Sequence, residues 1–188
     1  QDIGLLANIA LPEELDAVDE SGAAGIGLYR TEFLFVDSVP DEEQQFQVYR
    51  QLARRMRQRP AVIRTLDVGG DKFISQLGLT QELNPFLGLR AIRLCLSAPE
   101  LFEAQLRAIL RASAFGRVRI LIPMVAHLSE VLLTLDALAR ARRQLDDAAA
   151  QELSGLEAVT LLCGRYEGIA DRVRSHLAND AISVGPYV

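Results

Sequence analysis

The sequence predicts an α/β fold of about six mostly parallel strands flanked by helices. Three observations carry this. Short β-branched or apolar runs alternate with amphipathic stretches of helical period, four times in succession. The connections are long enough for right-handed helical crossovers between parallel strands. Charged residues gather just after the apolar runs, at the carboxyl edge where parallel sheets place their ligands.

The elements follow in order. Ile3–Ala10 reads as the first strand, and Leu11-Pro12-Glu13-Glu14 as a helix start with an early proline and acids in its first turn. Leu15 and Val18 carry that helix to Gly22. Gly25–Arg30 (GIGLYR) is the second strand, with Glu32 two residues beyond its arginine. Asp41-Glu42-Glu43 opens the second helix, whose Phe46, Tyr49, Leu52 and Met56 share a face, and Pro60 follows its end. Ala61–Leu66 is the third strand, a run expected to be buried on both faces. Beyond it lie Asp67, the Gly69–Gly70 pair and Lys72, the only lysine in the chain. Two glycines there offer a turn and a backbone that an anion can approach closely.

After the segment Asn84–Ala98, Glu100–Ala114 is an amphipathic helix through Leu101, Leu106, Ile109 and Leu110. Val118–Met124 is the fourth strand, and Ser129–Gln144 the fourth helix, with Ser129 as its expected N-cap. Asp146–Gly155, Ala-rich and weakly patterned, is a candidate seam. A strand at Ala158–Cys163, a helix at Ala170–Leu177 and a strand at Ala181–Val184 complete the pattern.

Composition narrows the function. A net charge of -5 argues against general nucleic-acid binding. No apolar run is long enough to span a membrane and no signal peptide opens the chain, so a soluble cytoplasmic protein is expected. Cys95 and Cys163 lie in apolar surroundings and read as buried, reduced thiols. His127 and His176 read as surface or packing residues.

Arg30, Arg64 and Arg90 occupy comparable places after apolar segments. Guanidinium groups converging on one site suit phosphate and carboxylate, each offering a planar fork for bidentate pairing. The alternative is that each arginine pairs locally with Glu32, Asp67 or another neighbour as a structural ion pair.

GIGLYRTEFLF (Gly25–Phe35), VIRTLDVGGDK (Val62–Lys72), NPFLGLRAIR (Asn84–Arg93), QLRAILRASAFGRVRILIPM (Gln105–Met124) and LLANIALPEEL (Leu5–Leu15) closely resemble enzyme I of the bacterial phosphoenolpyruvate:sugar phosphotransferase system. The resemblance covers about residues 1–147 and is to the first half of a phosphoenolpyruvate-binding (βα)8 barrel. It implies a half TIM-barrel, (βα)4, in which Arg30, Arg64 and Arg90 hold the phosphate and carboxylate of phosphoenolpyruvate, with Glu32, Asp67 and Lys72 around them. The family's Mg2+ ligands and cysteine proton donor lie in the barrel's second half, so no metal site and no catalytic residue are expected among these residues.

The tail, LLCGRYEGIADRV (Leu161–Val173) followed by ISVGPYV (Ile182–Val188), resembles the SPOUT-class tRNA guanine methyltransferases. That implies Gly164, Arg165, Tyr166, Glu167, Ser183, Val184, Gly185 and Tyr187 as vestigial contacts to S-adenosylmethionine. Pro186 and Ala170 stand where that family has aspartates.

Together the two resemblances lead to the expectation of a recombined or engineered chimera: residues 1–147 a half-barrel, 148–157 a seam, 158–188 a methyltransferase-like fragment. Such a scaffold would lack catalytic turnover, retain weak binding of phosphate-like anions at the strand ends, and dimerise through its open sheet edges. The alternative is a fragment of a phosphoenolpyruvate-protein phosphotransferase or, further off, a methyltransferase remnant.

Overall fold

The computed structural model describes residues 4–36, 38–68 and 90–154, with side chains to residue 147. Four strands, β1 (Ala7–Ile9), β2 (Ile26–Arg30), β3 (Ala61–Arg64) and β4 (Val118–Leu121), form one sheet in the order β1-β2-β3-β4. All three pairings are parallel, as the alternating pattern predicts. The fold is therefore mixed α/β, a parallel sheet flanked by helices in the manner of a partial barrel. The two strands expected beyond residue 157 lie outside the described residues.

A single 3₁₀ turn (Pro12–Glu14) leads into α1 (Leu15–Glu20), and Leu15 and Val18 are its buried residues. A second 3₁₀ turn, Thr31–Phe35, follows β2 directly. Helix α2 (Glu42–Met56) begins at a reciprocal cap: the Gln44 N–H donates to Asp41 Oδ1 at 2.7 Å, and the Asp41 N–H to Gln44 Oε1 at 2.9 Å. It ends before Arg57, whose φ of 54° breaks the helix three residues ahead of Pro60. Helices α3 (Ile92–Ser97) and α4 (Pro99–Ser113) are contiguous, with Pro99 opening α4 where its missing N–H costs no helical bond.

Helix α5 (Leu128–Ser154) differs from expectation at both ends. At its start, Glu130 takes the capping role assigned to Ser129: its Oε2 accepts from the N–H groups of Ala126 (2.7 Å) and His127 (3.0 Å). A glutamate one turn in can reach back to free amides that a serine at the wrong register cannot. At its other end the helix continues through Asp146–Ser154, the expected seam. Ala, Glu, Gln and Leu are strong helix formers even where no apolar stripe marks the period. By internal packing the chain divides into Gln1–Ala141 and Arg142–Val188, a boundary inside α5. Of the second unit, only its helical residues to 154 are described.

Burial alternates residue by residue along β3. Ile9, Ile26, Tyr29, Ala61 and Ile63 are buried with Val18, Phe46, Tyr49, Leu52, Met56, Ile109 and others in the core between sheet and helices. Leu28, Arg30, Val62 and Arg64 are half-exposed. Strand β3 is thus buried on one face, not on two, and its alternation has the period of two that a half-covered sheet requires. A second core cluster gathers Phe35, Leu66, Ile92, Cys95, Phe102, Leu106, Ala137 and Ala141 around the strand ends and α3, α4 and α5.

The packing of α2 against α4 includes charge. Arg107 meets Glu42 at 2.7 Å, Arg111 meets Glu42 at 3.1 Å and Glu43 at 2.6 Å. The Arg111 guanidinium lies 3.9 Å from the centre of the Phe46 ring. Gly116, between α4 and β4, sits against the backbone of α2: a Cβ there would stand 2.3 Å from the Ala53 carbonyl oxygen. Among the described residues, no helix is long and apolar enough to cross a membrane.

Candidate ligand site at the strand ends

The carboxyl ends of β2 and β3 lie side by side, Arg30 and Arg64 being register partners across the pair. By strand alternation both belong to the half-exposed face, with Leu28 and Val62, away from the helix-covered core. Arg64 Nη2 meets Glu32 Oε1 at 2.6 Å and Arg64 Nη1 meets Asp67 Oδ2 at 3.0 Å. Arg90, immediately before α3, brings its Nε to 3.5 Å from Asp67 Oδ1. Glu32, Arg64, Asp67 and Arg90 therefore form one linked charge cluster. Arg30 stands beside it with its guanidinium 5.2 Å from the centre of the Phe33 ring.

Five of the six residues expected at this edge are thus gathered there, and the sixth, Lys72, lies outside the described residues. Arg64 and Arg90 do pair with local carboxylates, and they do so at one shared place. Two guanidiniums offset two carboxylates, and Arg30 adds a positive charge. Arg90 Nε and Asp67 Oδ1 meet as an ion pair, while the buried Nε atoms of Arg30 and Arg64, with Glu32 Oε2, have no hydrogen-bond partner among the described residues. Buried donors are ordinarily satisfied, so these two guanidinium Nε groups are the polar atoms of this edge that its described ion pairs leave over.

Behind the charges lies a buried layer of neutral polar groups that the sequence did not announce. The Thr31 hydroxyl donates to the Arg64 carbonyl at 2.9 Å. The Leu66 N–H donates to Gln105 Oε1 at 2.9 Å, and Gln105 Nε2 donates to the Tyr49 hydroxyl at 3.1 Å. Tyr49 donates in turn to Gln45 Oε1 at 3.2 Å. Burial raises the Tyr49 phenol far above its ordinary range, so its proton stays in place. One signal was available: Gln105 falls on the apolar face of α4, one turn after Phe102 and one before Ile109, where a polar residue needs a buried partner.

Cys95 is free and buried, and burial pushes its thiol up to about 12; its Sγ lies 3.7 Å from the Leu66 carbonyl. It is a packing residue of the second cluster. His127 is exposed and meets Glu130 through its backbone. Among the described residues, no three His, Cys, Asp or Glu side chains gather as metal ligands. Glu32 and Asp67, the carboxylates described at this edge, both pair with Arg64. Cys163, His176 and the expected S-adenosylmethionine contacts Gly164, Arg165, Tyr166, Glu167, Ser183, Val184, Gly185 and Tyr187 lie outside the described residues.

Comparison with known proteins bears on the whole arrangement. The family model described as "PEP-utilising enzyme, PEP-binding domain" matches residues 1–164. A phosphoenolpyruvate-protein phosphotransferase of Staphylococcus carnosus (strain TM300) is 55% identical over 130 residues, covering 68% of this chain and 23% of the relative. One from Staphylococcus aureus is 54% identical over 128 residues, 67% of this chain and 22% of the relative. One from Cupriavidus necator is 52% identical over 151 residues, 78% of this chain and 26% of the relative. The chain spans about a quarter of the length of these relatives.

These matches overturn the expectation of a chimera. A single family runs unbroken across the supposed seam at 148–157 and into LLCG (Leu161–Gly164), the opening of the supposed methyltransferase motif. Helix α5 is continuous through the same stretch to Ser154. An apolar strand followed by glycine recurs wherever a strand ends in a turn, so LLCG had little power to separate two families. The methyltransferase reading finds no support.

Proposed function

Because the chain belongs to the PEP-binding domain family of PEP-utilising enzymes, we propose that it is part of a phosphoenolpyruvate-protein phosphotransferase and binds phosphoenolpyruvate at the carboxyl edge of its sheet. The observation that carries this reading is the gathering of Arg30 and Arg64 at adjoining strand ends with Arg90 linked to them through Asp67, the buried Nε donors of Arg30 and Arg64 being left over after the ion pairs to Glu32 and Asp67 are made. Phosphoenolpyruvate presents two anionic groups on a small rigid skeleton, and guanidinium groups suit both.

Glu32 and Asp67 have the complementary role of holding Arg64 between them. A long side chain fixed by two carboxylates loses less conformational freedom on meeting an anion than a loose one does. Phosphoryl transfer itself is a property of the longer proteins that bear this domain. The contribution of these residues is binding and orientation, which together supply much of the rate enhancement in phosphoryl-transfer enzymes.

The test is a calorimetric titration of phosphoenolpyruvate into the 188-residue chain and into Arg64→Ala. Saturable binding by the wild type, lost in the variant while its far-ultraviolet circular dichroism stays unchanged, supports the reading. No saturable binding by a cooperatively folded wild-type chain sinks it.

A further inference from the structure

We infer that Gln105, buried in α4 away from the charged edge, is a positioning residue that sets the backbone from which Arg64 and Asp67 project; this rests on the binding reading above. The argument begins with a backbone group outside the sheet ladder. The Thr65 N–H pairs with the Leu121 carbonyl at 2.9 Å, and one residue further on the Leu66 N–H goes instead to Gln105 Oε1, also at 2.9 Å. Leu66 lies between Arg64 and Asp67, the two residues joined by an ion pair at the site. The Gln105 amide therefore fixes the chain at the point where strand gives way to ligand-facing loop.

The amide is itself held. Its Nε2 donates to the Tyr49 hydroxyl at 3.1 Å and stands 3.4 Å from Thr31 Oγ1. Tyr49 passes its proton toward Gln45 Oε1 at 3.2 Å, and Gln45 Nε2 donates to the Pro40 carbonyl at 3.2 Å. Thr31 closes a second branch by donating to the Arg64 carbonyl at 2.9 Å. Every donor in this chain points the same way, and Gln105, Tyr49, Gln45, Thr31 and Leu66 are each no more than 1% exposed. Such a network has one low-energy arrangement, since reversing any amide would leave a buried donor facing a donor.

The chemistry requires an amide at position 105. It must accept from Leu66 and donate to Tyr49 at once; a carboxylate lacks the donor and an aliphatic side chain lacks both. The network connects the ends of β2 and β3 to α2 and α4, so it governs the relative placement of Glu32, which follows Thr31, and Arg64.

The test uses the full chain with Gln105→Met, similar in length and without polar amide atoms, and Tyr49→Phe, which removes only the hydroxyl. Val18→Ala, a core truncation in α1, controls for lost stability. The readouts are phosphoenolpyruvate affinity by calorimetry and hydrogen exchange at the Leu66 amide by nuclear magnetic resonance. Gln105→Met is expected to weaken phosphoenolpyruvate binding about tenfold and to speed Leu66 exchange beyond that of other β3 amides. Tyr49→Phe should weaken binding about threefold, and carries the test if Gln105→Met does not fold. Val18→Ala should leave affinity within about twofold. Unchanged Leu66 exchange or unchanged affinity in Gln105→Met, against a wild type that binds, overturns the positioning role alone. A wild type that binds no phosphoenolpyruvate overturns the functional reading and the positioning role together.

Discussion

The Thr31 hydroxyl donates a 2.9 Å hydrogen bond to the Arg64 carbonyl, joining two residues 33 apart in sequence. Thr31 is fully buried, and both Glu32 and Asp67 meet the Arg64 guanidinium directly. The backbone of the arginine is thus fixed from the buried side and its guanidinium from the exposed side. Thr31→Val keeps the shape and removes the donor. It should cost roughly 0.5–1.5 kcal/mol in urea unfolding and weaken phosphoenolpyruvate binding. An affinity equal to wild type would mean that the guanidinium is held by its carboxylates alone.

Gly116→Ala should be among the most destabilising small substitutions in the chain. The added Cβ would stand 2.3 Å from the Ala53 carbonyl oxygen and 2.9 Å from its carbon, both main-chain atoms of α2 that cannot swing aside. Separation of α2 from β4 is required, at roughly 1–3 kcal/mol. Thermal unfolding measures this directly, and a midpoint within a degree of wild type would contradict the close approach.

Acid should loosen the start of α5 through Glu130. Amide donors from Ala126 and His127, with Arg93 beside them, hold its carboxyl down to about 2, against an ordinary 4.5. A carboxylate depressed in the folded state stabilises fully above its unfolded value, and the contribution fades as pH falls from about 4.5 to about 2. Glu130→Gln should therefore flatten the fall of the unfolding midpoint across that window. Parallel curves for variant and wild type would remove Glu130 from the acid response.

The outward side of α5 should tolerate charge. Leu128 and Leu132 are 74% and 55% exposed, so Leu128→Glu and Leu132→Glu remove little buried surface. Each should change unfolding free energy by no more than about 0.5 kcal/mol. A larger loss in a denaturant titration would show that these leucines are covered in solution.

Much of the architecture was legible because it follows from periodicity. The face of Phe46, Tyr49, Leu52 and Met56 is a helix by spacing alone, and all four are buried. Strand ends were read too far: Leu66 and Met124 continue their apolar runs but lie beyond β3 and β4, Leu66 packing in the second core cluster and Met124 standing exposed at a φ of 57°. Arg30, Arg64 and Arg90 were visible as charges after apolar segments. Gln105 was not, because a single polar residue in an apolar stripe reveals its partner only in three dimensions. The end of α5 was placed too early, at Gln144, for a complementary reason. Alanines weaken the apolar pattern while strengthening the helix, so a method that looks for stripes sees a break where the backbone has none.

The order of the sheet has a consequence for how the chain comes into being. Ala7 pairs with Ile26, Ile26 with Ala61, and Ala61 with Val118, so each strand's earlier neighbour has always been synthesised before it. As the chain leaves the ribosome, no strand of these four must wait for a later one to reach its place between neighbours already laid down; growth is by addition at a single advancing edge. That edge is the hazard of the process, because until the next strand arrives its unpaired amides and carbonyls face whatever else is nearby.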